Sequence, residues 1–466
     1  MKIKGDFIRF VRSSGIFFLG NILSKAIAFL LLPMYTGYIK ASDMGYYDVS
    51  VTYLNMVVSI LFFEIWSAVL RFMYDYNEND KKYNAVKSGL IIFMGSTIVY
   101  LGLSAVLGYF VDIEHFILII IYGWIQCIGT FYSFTARGLN HNIDFAVSGI
   151  LNVVVNAAIN ILFIVYLNIG FVSMYYGFIF GTITQIIYLE IRTQLLAKSI
   201  KLKIDFREIK KMFIYAIPLC VNTVSYWLLT GFNRLVVNWV IGTEANGMLA
   251  IGNRFGTIIT LVTTCFTYAW QDVSFSKKGN KKEKSEFYSN ACNLYTKFLM
   301  AGLLVVMPLC LWVFELMINE SYYEAKSTIP YFLLVGVLSA ISSFIGNVFY
   351  AIKDTKTIFI STVISAIVNV IIAFPLVKIW GMNGANISAA IGFLINILIR
   401  CQILRKKIDF KYSWITFIIL LMYFFVVANK FTLWTLGNSI LVFFIHLIIC
   451  ILLFRGEIKE LFSKYF

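Results

Sequence analysis

The chain has 466 residues, of which 60% are hydrophobic and only 14% are Asp, Glu, Lys or Arg, with a formal net charge of +15. Soluble domains carry about 25% charged residues, so the composition excludes a water-soluble globule and makes lipid the solvent for most side chains. A helix crosses the ~30 Å hydrocarbon layer with ~20 apolar residues, and runs of that length recur from end to end. The first, at 15–39, follows Lys2, Lys4, Arg9 and Arg12 as a signal peptide would. It is too long for one, and no Ala-x-Ala-like cleavage site follows Pro33, so it is expected to stay as the first helix. Further spans are predicted at 48–71, 86–110, 115–136, 147–167 and 169–190, then, past a basic stretch, at 211–241, 246–275, 291–316, 328–352, 357–378 and 381–402, with a last pair at 413–429 and 433–454.

This pattern predicts an all-α polytopic membrane protein of about 14 transmembrane helices. Residues 1–190 form an N-terminal six-helix lobe, 191–210 a basic cytoplasmic connector, 211–402 a C-terminal six-helix lobe, and 403–466 two additional transmembrane helices with a cytoplasmic tail. Short cytoplasmic loops collect positive charge. Lys40, Lys326, Lys378 and Lys430 fall in the opposite connections, Lys25, Arg234, Arg254 and Lys297 fall inside spans, and the other 31 of the 39 Lys and Arg lie on the side of the N-terminus. Both termini are therefore expected in the cytoplasm. The basic balance is a topology signal and implies no nucleic-acid partner.

The two lobes look like one unit repeated. Asp43-Met-Gly-Tyr-Tyr corresponds to Ala245-Asn-Gly-Met-Leu, so that Gly45 matches Gly247. Val155-Asn156 matches Val368-Asn369, with turns expected at Gly170 and Gly384. Six helices is an even number, so the repeats are parallel, related by an axis along the membrane normal, and are expected to face a central cavity.

Chemistry of the enzymatic kind is not indicated. Cys127, Cys220, Cys265, Cys292, Cys310, Cys401 and Cys450 lie in or beside apolar runs without Cys-x-x-Cys spacing, and His115, His141 and His446 are widely scattered. No metal site, cofactor or disulfide is expected from them. Ser-His-Asp, His-Glu-x-x-His and Walker-type groupings are missing as well, which argues against a hydrolase and against an ATP-driven pump.

The stretch Asn21 to Val49, NILSKAIAFLLLPMYTGYIKASDMGYYDV, resembles the N-terminal signature of Wzx-type polysaccharide flippases of the multidrug/oligosaccharidyl-lipid/polysaccharide exporter superfamily. Pro218-Leu219, Asn233-Arg234, Gly242-x-x-x-Asn-Gly247 and Ala269-Trp270-Gln271 extend the resemblance into the second unit. It implies a protein of the bacterial inner membrane that moves an undecaprenyl-pyrophosphate-linked oligosaccharide from the inner to the outer leaflet for O-antigen or capsule assembly. A polysaccharide polymerase is the partner the resemblance suggests. One departure is Asn233-Arg234, where family members often carry Asp-Arg.

Charges inside the hydrocarbon cost ~2.5–3.5 kcal/mol each on insertion scales, so each one asks for a reason. Lys25 shares a helical stripe with Asn21, Ser24 and Ala28 and lies ten residues inside its span. Arg234 and Arg254 each lie some seven residues from the external end of theirs, and Arg71 ends the second. Together these four are candidates for a cationic track that compensates the pyrophosphate, the alternatives being snorkelling, structural hydrogen bonds or, for Arg71, the positive-inside rule. Glu64 and Asp272 are candidates for a coupling site for H⁺ or Na⁺, or else balance nearby positive charge. Trp66, Trp227 and Trp270 are candidates to stack on sugars.

Two other functions compete. A cation-coupled multidrug exporter of the same superfamily would share the helix count, but drug cations favour carboxylates over the cations found here. A membrane polysaccharide polymerase or ligase would need a large external loop, whereas the longest external connection here runs only from Glu315 to Lys326.

Overall fold

The structure, a computed structural model, describes residues 26, 27, 29–76, 78–276, 280–352 and 354–456. The described residues contain helices and no strand. They are grouped in two compact units, Met1–Trp227 and Leu228–Phe466, the boundary lying inside a helix beyond the 191–210 connector.

The first unit holds α1 (Leu32–Tyr38), α2 (Ala41–Leu61), α3 (Ile65–Met73), α4 (Asn79–Phe110), α5 (Phe116–Gly138), α6 (Asn142–Ile161), α7 (Val172–Thr193), the short α8 (Leu195–Ile200) and most of α9 (Phe206–Thr230). The second holds α10 (Phe232–Val240), α11 (Thr243–Ser276), α12 (Lys281–Met317), α13 (Ile329–Ala351), α14 (Thr355–Ile408), α15 (Trp414–Lys430) and α16 (Leu436–Leu453). Helix starts carry their expected signals. Asn280 Oδ1 accepts from Glu283 N at 2.9 Å to cap α12, Asp354 caps α14 through Thr357 N, and Pro330 opens α13.

Among the described residues ten helices are long and apolar enough to cross a membrane, or eleven if the bent pair α2 and α3 is taken as one span. The chain is thus a multi-pass helical membrane protein. Each predicted span from 48–71 onward coincides with helix, while most of the span 15–39 lies outside the described residues.

Three spans differ in detail from the expectation. The span 48–71 is broken at residues 62–64, where Phe63 and Glu64 take left-handed conformations (φ 52° and 53°) and α3 leaves α2 at 49°. The span 211–241 is interrupted at Gly231, so that Trp227 lies on α9 and Arg234 on α10. In the second repeat the turn falls at Gly381 (φ 57°, ψ −140°), not at Gly384. Only glycine takes that φ/ψ pair without strain. Gly384 is instead packed, a Cβ there meeting the Leu376 carbonyl at 2.0 Å.

The turn folds α14 into a hairpin whose two halves repeat the pair α6 and α7. A Cβ on Gly181 of α7 would lie 2.6 Å from Asn152 O and 3.2 Å from Asn156 Cβ. One on Gly392 of α14 would lie 3.4 Å from Ser365 O and 3.3 Å from Asn369 Cβ. Since lipid tails are as apolar as leucine, helices in a membrane associate through close approach at small residues and through interhelical hydrogen bonds. Both hairpins use these two devices. One turn beyond Gly181, Gln185 accepts from Asn152 Nδ2 at 2.7 Å and donates to Ser133 Oγ on α5 at 2.9 Å. One turn beyond Gly392, Asn396 Oδ1 accepts from Ser342 Oγ on α13 at 2.8 Å. The Asn156–Asn369 correspondence therefore reappears as matched packing. Gly45 and Gly247 likewise both sit early in their helices, which start at Ala41 and Thr243.

Candidate functional site

In the first unit, the broken crossing is the main polar feature inside an apolar span. Glu64 sits in the break, where Ser67 Oγ donates to Oε2 at 3.1 Å and Trp66 and Thr223 are further hydrogen-bonding neighbours. The break withdraws N–H donors from the last carbonyls of α2, and the Cys220 thiol donates to one of them, Ser59 O, at 3.3 Å. Two successive non-glycine residues in the left-handed region cost energy that the surroundings must hold in place. The break sets Glu64 just ahead of α3, the helix that carries Arg71, and the two form no ion pair among the described residues. Arg71 pairs with Asp75, Nη1 to Oδ1 at 2.6 Å, on the exposed end of α3.

In the second unit, Asn233 explains itself. Its Nδ2 donates to Ala385 O at 2.7 Å and to Asn369 Oδ1 at 3.3 Å, while Asn369 Nδ2 donates to Leu228 O at 2.8 Å and to Asn233 Oδ1 at 3.1 Å. An ionised Asp at 233 has no proton to give to either acceptor. The amide thus locks α10 to both halves of α14, and the adjoining Arg234 is half-buried beside it. Arg254 is half-buried on α11, and among the described residues no side chain or carbonyl pairs with its guanidinium. The turn around it is held by Thr257 Oγ1 donating to the Arg254 carbonyl at 2.6 Å.

Sequence reasoning missed Arg400. Counted with the cytoplasmic loop residues, it is in fact 5% exposed, inside the second unit. Its Nη1 donates to Ser342 O at 2.6 Å and to Ser342 Oγ at 3.0 Å, Nε to Ser361 Oγ at 3.0 Å and Nη2 to Thr362 Oγ1 at 3.2 Å. Gly346 makes room for it, since a Cβ there would lie 2.9 Å from Nη1. The sequence carries Gly346, Ser361 and Thr362 in otherwise apolar spans, but no spacing links them to Arg400.

The three tryptophans differ. Trp66 and Trp270 are each 7% exposed. Trp66 belongs to the core that packs Phe62, Val69 and Phe131. Trp270 donates from Nε1 to Phe344 O at 3.1 Å and stacks on the Phe344 ring at 4.2 Å. A sugar could reach neither ring without repacking, so burial corrects their assignment as sugar contacts. Trp227 is half-buried and keeps that candidacy. Lys25, and the side chain of Asp272, lie outside the described residues. Among the described residues no group of His, Cys, Asp and Glu could hold a metal ion.

A family model described as "Polysaccharide biosynthesis protein" matches residues 10–271, more than half of the chain. A search of curated proteins returned no match. Among solved structures the chain is similar to a lipid II flippase MurJ in an inward closed conformation, with a TM-score of 0.68 and 17% identity over 96% of this chain and 100% of that one. It is similar to an inward-facing multidrug resistance MATE family transporter of the MOP superfamily, with a TM-score of 0.62 and 13% identity over 87% of this chain and 96% of that one. A MOP superfamily transporter from Pyrococcus furiosus, described as having a binding pocket of reverse polarity, aligns with a TM-score of 0.57 and 17% identity over 86% and 95% of the two chains. At such identities the likeness is one of fold.

Proposed function

The chain belongs to the polysaccharide biosynthesis protein family, and from that premise we propose that it is a flippase for an undecaprenyl-pyrophosphate-linked oligosaccharide repeat unit. It carries the head group from the inner to the outer leaflet of a bacterial cytoplasmic membrane, with both termini inside, by alternating access and without covalent chemistry of its own. The product would feed a polysaccharide polymerase.

The observation that supports this reading best is Arg254. A cation held within a membrane helix without an acidic partner among the described residues is costly unless an anion visits it. Pyrophosphate is the part of the cargo that most opposes crossing, and a guanidinium can clasp two phosphate oxygens at once. Arg234 and Lys25 are the further cations proposed for this role. Arg71, already paired with Asp75, contributes less. Trp227 is the proposed sugar contact.

Glu64 is the proposed coupling group. A carboxylate at a break in a membrane helix, next to hydroxyls and partly freed carbonyls, offers the oxygen ligands that H⁺ or Na⁺ requires. The flippase reading is tested by deleting the gene and assaying the leaflet on which lipid-linked oligosaccharide resides. Accumulation on the inner leaflet is expected, and normal appearance on the outer leaflet would refute it.

A further inference from the structure

Helix α12 is tied along its length to the segment 409–413 that leads into α15 and to α16. Towards its start, Ser285 Oγ donates to Asp409 O at 2.8 Å, Lys411 N donates to Ser289 Oγ at 2.9 Å, and Asn293 Nδ2 donates to Lys411 O at 3.0 Å. Towards its end, Trp312 Nε1 donates to Ser439 Oγ at 2.7 Å. In the apolar stretch between, α16 contributes His446, 2% exposed, whose Nδ1 lies 2.7 Å from Leu304 O.

A helical carbonyl normally accepts from the N–H four residues further on. For Leu304 that residue is Pro308, inside α12, which has no N–H. Lipid offers no replacement donor, so the carbonyl would otherwise stay unpaired where that is most unfavourable. His446 meets this need. Because a carbonyl only accepts, Nδ1 must carry the proton, which fixes the ring in its Nδ1–H tautomer. The other interior prolines, Pro218 and Pro375, have no such partner, since no side chain donates to Ile214 O or Ile371 O among the described residues.

We propose that His446 is a positioning residue that supplies the hydrogen bond Pro308 withholds, and so sets the register of the C-terminal pair on α12 for transport. The pairing crosses 142 positions of sequence and gives His446, set in the apolar run of α16 after Ser439, a defined task. Its bearing on transport rests on the flippase reading above; the bond itself does not.

The test is a double-mutant cycle on the full chain purified in detergent, read as melting temperature. His446→Phe is expected to lower it by several degrees when Pro308 is present and by much less in the Pro308→Ala background, where the new Ala N–H takes over Leu304 O. His446→Asn, whose amide nitrogen falls where Nδ1 does, is expected to keep most of the stability. Equal losses for His446→Phe in both backgrounds, or a loss with His446→Asn as large as with His446→Phe, would overturn the proposal. If His446→Phe alone gives no folded protein, the double variant must restore it. In cells, surface polysaccharide per inserted protein should drop with His446→Phe and persist with His446→Asn, and equal export by the two variants would remove the positioning role. If the melting cycle holds while even the unaltered protein exports no polysaccharide, the flippase reading fails and the bond stands.

Discussion

The hairpin α6–α7 with its neighbour α5, and the two halves of α14 with their neighbour α13, are built on one plan and finished differently. In both, glycine brings the helices together, at Gly181 and Gly392. In both, a serine early in the first helix of the hairpin bonds its own backbone, Ser148 Oγ to Phe145 O and Ser361 Oγ to Ile358 O. In both, an amide one turn past the glycine meets a serine on the third helix. One turn further, the first unit has Leu189, fully buried, and the second has Arg400. The opposite helix compensates. Arg137 of α5 stands where α13 has Gly346, and it is turned over the rings of Phe134 and Phe145 at 5.5 and 5.8 Å. Each unit therefore has an arginine in this part of the frame, Arg137 and Arg400, but places it on a different helix. The repeated part is the packing geometry, and the position of the charge is free to diverge wherever hydroxyls and a glycine are provided to receive it.

The sharpest way to break this comparison is to exchange the two residues. Leu189→Arg would bury a guanidinium opposite Arg137, with Gly149 in the place of Thr362 and no room made for it. We expect a loss of several kcal/mol, read as failure to accumulate folded protein in the membrane. Arg400→Ala removes four hydrogen bonds from a buried charged group and should cost on the order of 3 kcal/mol, measured by thermal unfolding in detergent. A smaller loss from Leu189→Arg than from Arg400→Ala would mean that the two frames are not equivalent.

The glycines sharpen the comparison at a finer level. At Gly181 an added Cβ meets a backbone oxygen at 2.6 Å, whereas at Gly392 its nearest neighbour is the flexible end of Leu229 at 2.8 Å and the backbone oxygen is 3.4 Å away. Gly181→Ala should therefore cost about 1–3 kcal/mol and Gly392→Ala under about 1 kcal/mol, with unfolding temperature as the measure. Equal costs would show that α6 and α7 can separate as easily as the halves of α14. A still smaller effect on stability is expected for Glu64→Gln, which keeps the hydrogen-bonding shape at the break. It should change how transport depends on pH or sodium, and an unchanged dependence in a well-inserted variant would return Glu64 to a structural role.

Much of this architecture was legible because bilayer thickness dictates helix length, so that apolar runs such as 86–110 and 433–454 could end up as little else. The interruptions were harder. Phe63 and Glu64 have no glycine or proline to mark the break, and their left-handed conformations are imposed by packing around them. Gly381 and Gly384 both suit a turn, and only the tight contact at Gly384 distinguishes them. Arg71 and Arg400 both lie within a few residues of a predicted span end, where a side chain that reaches water and one that turns inward look alike in sequence. Their fates were decided by partners, Asp75 four residues along the same helix and Ser361 across a hairpin. Local partners can be read from spacing; distant ones cannot.

The central claim is that an intramembrane cation of the second unit answers the charge of a lipid-linked pyrophosphate. It is tested most directly by the amount of surface polysaccharide made by cells that carry Arg254→Gln as their only copy, normalised to inserted protein. The account predicts near-complete loss with Arg254→Gln and partial retention with Arg254→Lys, which keeps the charge but gives up bidentate geometry. Normal surface polysaccharide with Arg254→Gln would contradict it.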